Sequence, residues 1–581
     1  MDWLDFAILS FRFDISLFFT LNLLPLILLL LPFKQVIFRK ISRGIFVPVN
    51  CFFLLLNVVD IPFFAFNSRR SDFPTLQFLL GDSIRQIPQL AINFWYIPVL
   101  AIISAVLLWR SFKGKANEFI PQNKSWVKSI AAMVFVIAAG IGFIRNSFAQ
   151  KPLLPGNAFT MANHEAGHAA LNTGFVIFKT LEAREMESAS FLPEGKIPEV
   201  LKNCPSKISG IQNRNLVLII LESFATEYTG LEPGGARQTP FLDSLASVGV
   251  YFPHHFANGR TSRDALPSIL GSIPAWMDES FSASPYVSVP LEGLGNTLSS
   301  AGYSTAFFHG GKNGTMSFDM LSSICGFKSY YGLNEYPGKG DFDGNWGVFD
   351  GPFLQFSAAE INKMKPPFAA GIFTLSSHQP YTLPKGFSDT ANTGGQDVYK
   401  AIRYADNALR KFFQSAAEMP WFDNTLFVIT ADHTHLILRP EFNTYPGWYD
   451  VPLVFYAPGA SLSMDTSMWV QHTDIRPTVL EILGHPSRQS DLLGHSFVSC
   501  QPPNPMQYQD GFYHVLHKDG ILVWDGIGVN SVWRWESPRS VKEPAGLRTQ
   551  MMARLQHYRN GLKNGNLFQP NPVGMNAVEK K

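Results

Sequence analysis

The chain has 581 residues, more than one ordinary domain, and its 46% hydrophobic content is unevenly spread, so a membrane part and a soluble part are expected. A formal charge of only +2, with no nucleic-acid motif, argues against nucleic acid as a partner. Cys51, Cys204, Cys325 and Cys500 lie far apart without metal-knuckle spacing, which excludes a zinc ribbon and a dense disulfide scaffold and leaves a single Cys204–Cys500 bridge open.

Apolar runs at about 15–33, 44–66, 90–109 and 129–144 are each long enough to cross a hydrocarbon layer of ~30 Å as helices. A retained anchor of about four spans over residues 1–145 is expected, because a cleaved signal would be one short run. The opening MDWLDFAILSFRFD has the character of a helix tail and leaves room for a further span upstream. Lys34, Arg39, Lys40 and Arg43, and later Arg110, Lys113, Lys115 and Lys124, mark their linkers as cytoplasmic and put the chain after about 146 outside. Arg69, Arg70 and Arg85 run against that orientation, partly offset by Asp72 and Asp82. Asp60, near the outer end of the second span, is expected to pair with Arg69 or Arg70 in a structural role.

Residues 146–213 read as a juxtamembrane linker. It contains HEAGH, His164 to His168, the spacing of helical zinc proteases. Such a site also needs a third ligand and a folded protease domain, and no such domain surrounds it, so a coincidental match is the better reading.

From Asn215 short β-branched runs alternate with helical stretches, the pattern of a largely parallel α/β sheet with helices on both faces. The apolar strand Leu216 to Leu221 ends at Glu222 and Ser223, and Leu426 to Ile429 lead to Asp432 and His433. Two strands thus deliver acid and imidazole to the carboxyl edge, where open α/β sheets place their sites. That donor set suits a borderline divalent ion such as manganese or zinc. Between them, GRTSRDALPSIL sets Thr261 and Ser262 in a turn before a helix. A hydroxyl there becomes a nucleophile only if a metal favours its alkoxide; otherwise it is an ordinary helix cap.

The multi-span start followed by LESF, TPFLDSLA, GRTS, FFHGGKNG, TLSSHQPY, YADNALRKFF, DNTLFVITADHT and YDVPLVFYAPG, in that order, resembles the lipoteichoic-acid-synthase-like phosphoglycerol transferases nearly end to end. The lipid A phosphoethanolamine transferases of the same superfamily are a looser match. The resemblance implies an N-terminal transmembrane helical anchor followed by an alkaline-phosphatase/sulfatase-like α/β domain over 214–505. It also implies one divalent metal, manganese first and zinc or magnesium next, on Glu222, Thr261, Asp432 and His433, with Thr261 the catalytic nucleophile. His378 and His309 fall on the family's phosphate-binding and F-x-H-G histidines. The family's Trp-x-Arg element is absent, Met316 and Phe318 standing near its place. Lys312, Asp319 and the loop GDFDGNWG, with Asp341, Asp343 and Trp346, are candidates for a different head-group pocket, and Arg263 is a phosphate contact by position and charge.

The expected reaction moves phosphoglycerol or phosphoethanolamine from a membrane phospholipid to an envelope glycan or lipid acceptor through a phosphothreonine. The resemblance places the enzyme in a bacterial cytoplasmic membrane as a multi-pass protein, its catalytic domain facing the periplasm or exterior. The rivals are a phosphodiester or sulfuric ester hydrolase, a zinc protease at HEAGH, and a non-enzymatic membrane protein. Ser262-Arg263-Asp264 does not fit the C/S-x-P-x-R signature of sulfatases. Residues 506–581 read as a small antiparallel appendage, with turns at Lys518-Asp519-Gly520 and Asp525-Gly526, then a helix at MMARLQHYRNGL and a frayed tail.

Overall fold

The computed structural model describes residues 3–31, 35–67, 70–71, 73, 95–114, 126–144, 153, 155, 158, 169–181, 186–202, 211–277, 279–388, 394–486, 492–498, 501–509, 512–524 and 544–568. The chain divides into two compact units, Met1–Glu185 with Ala283–Ser288, and Met186–Ser282 with Val289–Lys581. HEAGH, Arg69, Arg85, Cys204, Cys500 and the Asp525-Gly526 turn lie outside the described residues.

The first unit holds α1 (Trp3–Leu30), α2 (Gln35–Asn67), α3 (Tyr96–Gly114), α4 (Trp126–Ile144) and the short α5 (Thr173–Thr180). Trp3–Leu30, Ile37–Ile61 and Trp126–Ile144 are long and apolar enough to cross a membrane. Helix α3 covers residues 96–109 of the expected run at 90–109, ends in the polar stretch containing Arg110 and Lys113, and is not among these three. Residues 3–14 are continuous with the first span in one helix. Between α1 and α2, Asn22 and Asn50 exchange amide hydrogen bonds at 3.1 and 2.7 Å, a polar clasp of the kind that joins helices in an apolar solvent. Asp60 is buried and fully engaged: Arg70 lies at 3.2 Å, the Ser71 N–H donates at 3.0 Å and the Thr173 hydroxyl at 2.7 Å. The expected pairing with an arginine is therefore present, at Arg70.

In the second unit the elements in chain order are β1 (Asn215–Leu221), α6 (Pro240–Val248), β2 (Val250–Tyr251), β3 (His255–Phe256), α7 (Ser262–Gly271), β4 (Ser304–His309), α8 (Phe318–Ile324), β5 (Ser329–Tyr331), α9 (Asp350–Ile361), β6 (Phe368–Phe373), α10 (Asp397–Ala417), β7 (Thr425–Ala431), β8 (Leu453–Tyr456), β9 (Val470–Gln471) and α11 (His472–Ile482). One seven-stranded sheet runs β2-β8-β7-β1-β6-β4-β5. Strands β7, β1, β6, β4 and β5 pair in parallel, and β8 is antiparallel to β7 and β2 to β8. The central strands NLVLIIL, FAAGIF and TLFVITA are buried at every position, as uninterrupted apolar strands between two helical layers must be. Helix α10 lays a strongly amphipathic face on one side, packing Ile402, Ala405, Leu409 and Phe412 into the core with Phe427 and Ile429. Parallel alignment brings the ends of β1, β7, β6 and β4 to one edge, and with them Glu222, Asp432, the 374–378 loop and His309.

The C-terminal part forms a three-stranded antiparallel sheet of β10 (Met506–Gln509), β11 (Phe512–His517) and β12 (Gly520–Trp524), then α12 (Leu547–Asn564), which contains the expected MMARLQHYRNGL. The β11–β12 hairpin turns at Lys518-Asp519, with His517 opposite Gly520.

Candidate active site

Glu222, Asp432 and His433 come together at the sheet edge, each buried, with ligand atoms within 4.8 Å of one another. Each is held by backbone. The Glu222 N–H donates to Thr374 Oγ1 at 2.9 Å, fixing the end of β1 to the end of β6. Asp432 Oδ1 accepts from the N–H of Ser223 at 2.7 Å and of His433 at 2.8 Å. Ser223 sits at φ 57°, an uncommon conformation for a serine, which turns its N–H to Asp432 while its hydroxyl donates to Glu222 Oε1 at 2.7 Å.

The remaining donors of the cluster converge. His433 Nδ1 lies 2.8 Å from the Thr434 carbonyl, a contact that only a protonated Nδ1 satisfies, so Nε2 faces the carboxylates. That Nε2 is 3.2 Å from Asp432 Oδ2 and 3.9 Å from Glu222 Oε1. Asp432 Oδ2 is buried and accepts no hydrogen bond. Burial first, and then the neighbouring Glu222, push the Asp432 carboxyl up to about 7. Burial opposes charge on His433, but Asp432 and Glu222 outweigh it and raise the imidazole. Two crowded carboxylates, an orphaned oxygen and an imidazole nitrogen aimed at them fit a divalent cation well.

Thr261 is the N-cap of α7, solvent-exposed and extended at φ −136° and ψ 149°. Its hydroxyl donates to Asp264 Oδ2 at 2.7 Å. Of the two hydroxyls in this turn, Ser262 is the one that touches the cluster, with Oγ 3.2 Å from Glu222 Oε2 and 3.3 Å from His433 Nε2. Gly259 leaves the room this turn needs, since a Cβ there would lie 2.5 Å from the Cβ of Asp264.

The other expected contacts divide into two groups. His378 is half-buried, its ring 4.1 Å from that of Trp346, whose indole N–H donates to the Gln379 carbonyl at 2.8 Å. Asp343 organises its own loop: Oδ1 accepts from the N–H groups of Asn345, Trp346 and Gly347 at 2.7, 2.8 and 3.1 Å, and so presents Trp346 to His378. Asp341 accepts from the Tyr336 hydroxyl at 2.6 Å. Lys312 is exposed, its Nζ 5.9 Å from the Phe342 ring centre. Arg263 is exposed on the first turn of α7. His309, by contrast, is buried among Phe318 and Phe373, with Nδ1 3.3 Å from the Tyr330 hydroxyl. Asp319 accepts from the Met320 N–H at 2.8 Å.

Several residues here were not singled out in the sequence. Asp350 is buried and accepts from the N–H groups of Leu375 and Ser376 at 2.8 and 3.0 Å, so it shapes the loop that carries His378. Arg260 lies over the Trp448 ring at 5.7 Å. His435 is set 6.1 Å from the Tyr381 ring, and burial, with His433 and His378 nearby, lowers its basicity. Basic residues flanking a catalytic run in GRTS and DHTH were the only sequence signal for the last two.

The Sulfatase family model matches residues 214–485. Lipoteichoic acid synthase 1 of Bacillus subtilis is 24% identical over 476 residues, 74% of this chain and 71% of that protein. Lipoteichoic acid synthase of Staphylococcus aureus is 27% identical over 510 residues, 79% of this chain and 75% of that protein. Among solved structures, an alkaline phosphatase superfamily protein from Vibrio parahaemolyticus superposes with a TM-score of 0.56 at 19% identity, covering 66% of this chain and 99% of that one. The lipoteichoic acid synthase LtaP of Listeria monocytogenes gives 0.52 at 18% identity, covering 64% and 98%. With apolar helices ahead of it, the segment 214–485 is a Sulfatase domain, and the chain is an enzyme of the sulfatase/alkaline phosphatase superfamily.

Proposed function

We propose that this enzyme transfers a phosphoglycerol or phosphoethanolamine head group from a membrane phospholipid to an envelope glycan or lipid acceptor, through a phosphothreonine at Thr261. The observation that carries the reading is the buried Glu222, Asp432 and His433 cluster beside the Thr261-Ser262 turn, in a chain that also has membrane-length helices. The similarity to lipoteichoic acid synthases supports a lipid-derived donor. In this reading the protein sits in a bacterial cytoplasmic membrane with residues 214–505 outside.

Glu222, Asp432 and His433, joined by Thr261, would hold one divalent ion, with manganese the first choice and zinc or magnesium next. When bound, the ion neutralises developing oxygen charge and favours the ionised hydroxyl. Thr261 Oγ1 attacks the donor phosphorus, the bond to the diacylglycerol oxygen breaks, and diacylglycerol leaves with the proton that Thr261 gives up. Asp264, to which the hydroxyl already donates at 2.7 Å, takes that proton and passes it to the leaving oxygen. An acceptor hydroxyl then attacks the same phosphorus, its proton returns through Asp264 to the Thr261 oxygen, and the hydroxyl of Thr261 is restored. His378, with Arg263 and Arg260, faces the phosphate; Lys312 and Trp346 border the head group. His309 supports the site from behind through its aromatic surround.

The test is diacylglycerol release by the solubilised full-length chain supplied with manganese and fluorescent phosphatidylglycerol or phosphatidylethanolamine. Release from one lipid that is lost in Thr261→Ala and after chelation supports the reading and names the donor. Hydrolysis of a soluble phosphodiester with both lipids intact replaces transfer by hydrolysis.

A further inference from the structure

We propose that the mouth of the site is a bilayer-docking rim, in which Phe342, Leu436 and Leu438 enter the phospholipid surface from which the donor is drawn. The inference rests on the lipid-donor reading and adds the surface that meets the lipid. Five large hydrophobic side chains are exposed among the described residues of the second unit: Val248, Phe342, Leu436, Leu438 and Phe512. Leu436 and Leu438, 42% and 37% exposed, stand on the loop that leaves the cluster, and Phe342, 38% exposed, stands on the loop that meets the His378 loop. Leu436 and Leu438 follow His433 by only three and five residues.

The rim is continuous around the opening. The 342–346 loop meets the 378–382 loop through Trp346 on His378 and through Asn345 donating to Thr382 Oγ1 at 3.0 Å. Tyr381 in turn packs near His435. The leucines are displayed from a pinned backbone: the Leu436 carbonyl accepts from the Tyr228 hydroxyl at 2.6 Å, and the Leu438 N–H donates to Glu227 Oε1 at 3.0 Å. Backbone held inward with apolar side chains left outward costs solvation unless something apolar covers them.

The charges nearby identify that cover as a phospholipid surface. Lys312 lies beside Phe342, and Arg260 beside Trp448. Cations alternating with aromatic and aliphatic tips suit the phosphate and upper acyl layers of a bilayer. Three neighbouring acidic groups are turned to internal donors, Asp343 to its loop N–H groups, Asp341 to Tyr336 and Glu227 to Leu438, while Glu441 is exposed. The same chain also carries membrane-length helices.

Two measurements on the full-length chain in vesicles of phosphatidylglycerol and phosphatidylcholine test this. In the first, Leu438 is replaced by a fluorescent amino acid, and Val248 in a separate chain, and quenching by lipids brominated on their acyl chains is compared. Position 438 is expected to be quenched severalfold more than position 248; equal quenching overturns the proposal. In the second, Leu436→Ser with Leu438→Ser is assayed on long-chain phosphatidylglycerol and on its water-soluble dihexanoyl analogue. KM for the long-chain lipid is expected to rise about tenfold with kcat held within about twofold, and the soluble analogue to be unaffected. Loss on both substrates alike, or on neither, overturns it. If the unsubstituted chain cleaves neither lipid, the lipid-donor reading fails, and the quenching decides the rim by itself.

Discussion

At the first turn of α7 two adjacent hydroxyls have different neighbours: Ser262 touches Glu222 and His433, and Thr261 donates to Asp264. In the proposed mechanism Ser262 positions the ligands and Thr261 reacts. Ser262→Ala should therefore weaken cation binding while leaving a measurable rate at saturating manganese, whereas Thr261→Ala, which also removes one ligand, should still bind the cation on Glu222, Asp432 and His433 at saturating manganese and release no diacylglycerol. Asp264→Ala should lower kcat by about 10²-fold or more, the usual worth of a positioned proton acceptor, without altering the lipid's KM. Asp432 adds a pH signature. Its carboxyl, raised to about 7 by burial and Glu222, has to lose a proton before it can hold a cation. Manganese affinity should hence strengthen as pH rises through 7 and fall by at least about tenfold per unit below it, since the raised His433 imidazole must shed its proton as well, read by titration calorimetry from pH 5.5 to 8. Affinity that is flat across that window contradicts a raised Asp432.

Among the elements, β1, β6 and β7 set the frame on which these residues hang. Ile219 is wholly buried between the helical layers, so Ile219→Ala should cost about 2–5 kcal/mol, seen as a lower unfolding midpoint of the solubilised chain. In the first unit, Asp60→Ala leaves Arg70, Ser71 and Thr173 without their shared acceptor and should cost about 3 kcal/mol by the same measurement. An unchanged midpoint would remove Asp60 from the structural role given to it. These elements were legible in the sequence because continuous apolar runs ending in Glu222 and in Asp432-His433 report both burial and edge. The antiparallel β8 and the two-residue β2 were not, since short strands depend on pairing that no local pattern encodes. Nor was the contact of Ser262 with Glu222 and His433, because which of two neighbouring hydroxyls faces the cluster depends on the helix start and on the space at Gly259. Ser223 escaped for a related reason: its positive φ is imposed by Asp432 on another strand.

Across the whole molecule, a unit with membrane-length helices and a Sulfatase domain share one chain, an arrangement that suits the proposed lipid donor. The order of motifs from LESF to YAPG made this legible where no single motif did, and the missing Trp-x-Arg element left the head group open. HEAGH carries no part of the account, so His164→Ala should leave lipid turnover unchanged. The most direct test of the central claim is tandem mass spectrometry of the full-length chain quenched during turnover of phosphatidylglycerol or phosphatidylethanolamine with manganese and no acceptor. The account predicts a head-group phosphate on Thr261, absent from Thr261→Ala and discharged when an acceptor alcohol is added. A phosphate on Ser262, or lipid turnover that persists in Thr261→Ala, would contradict it.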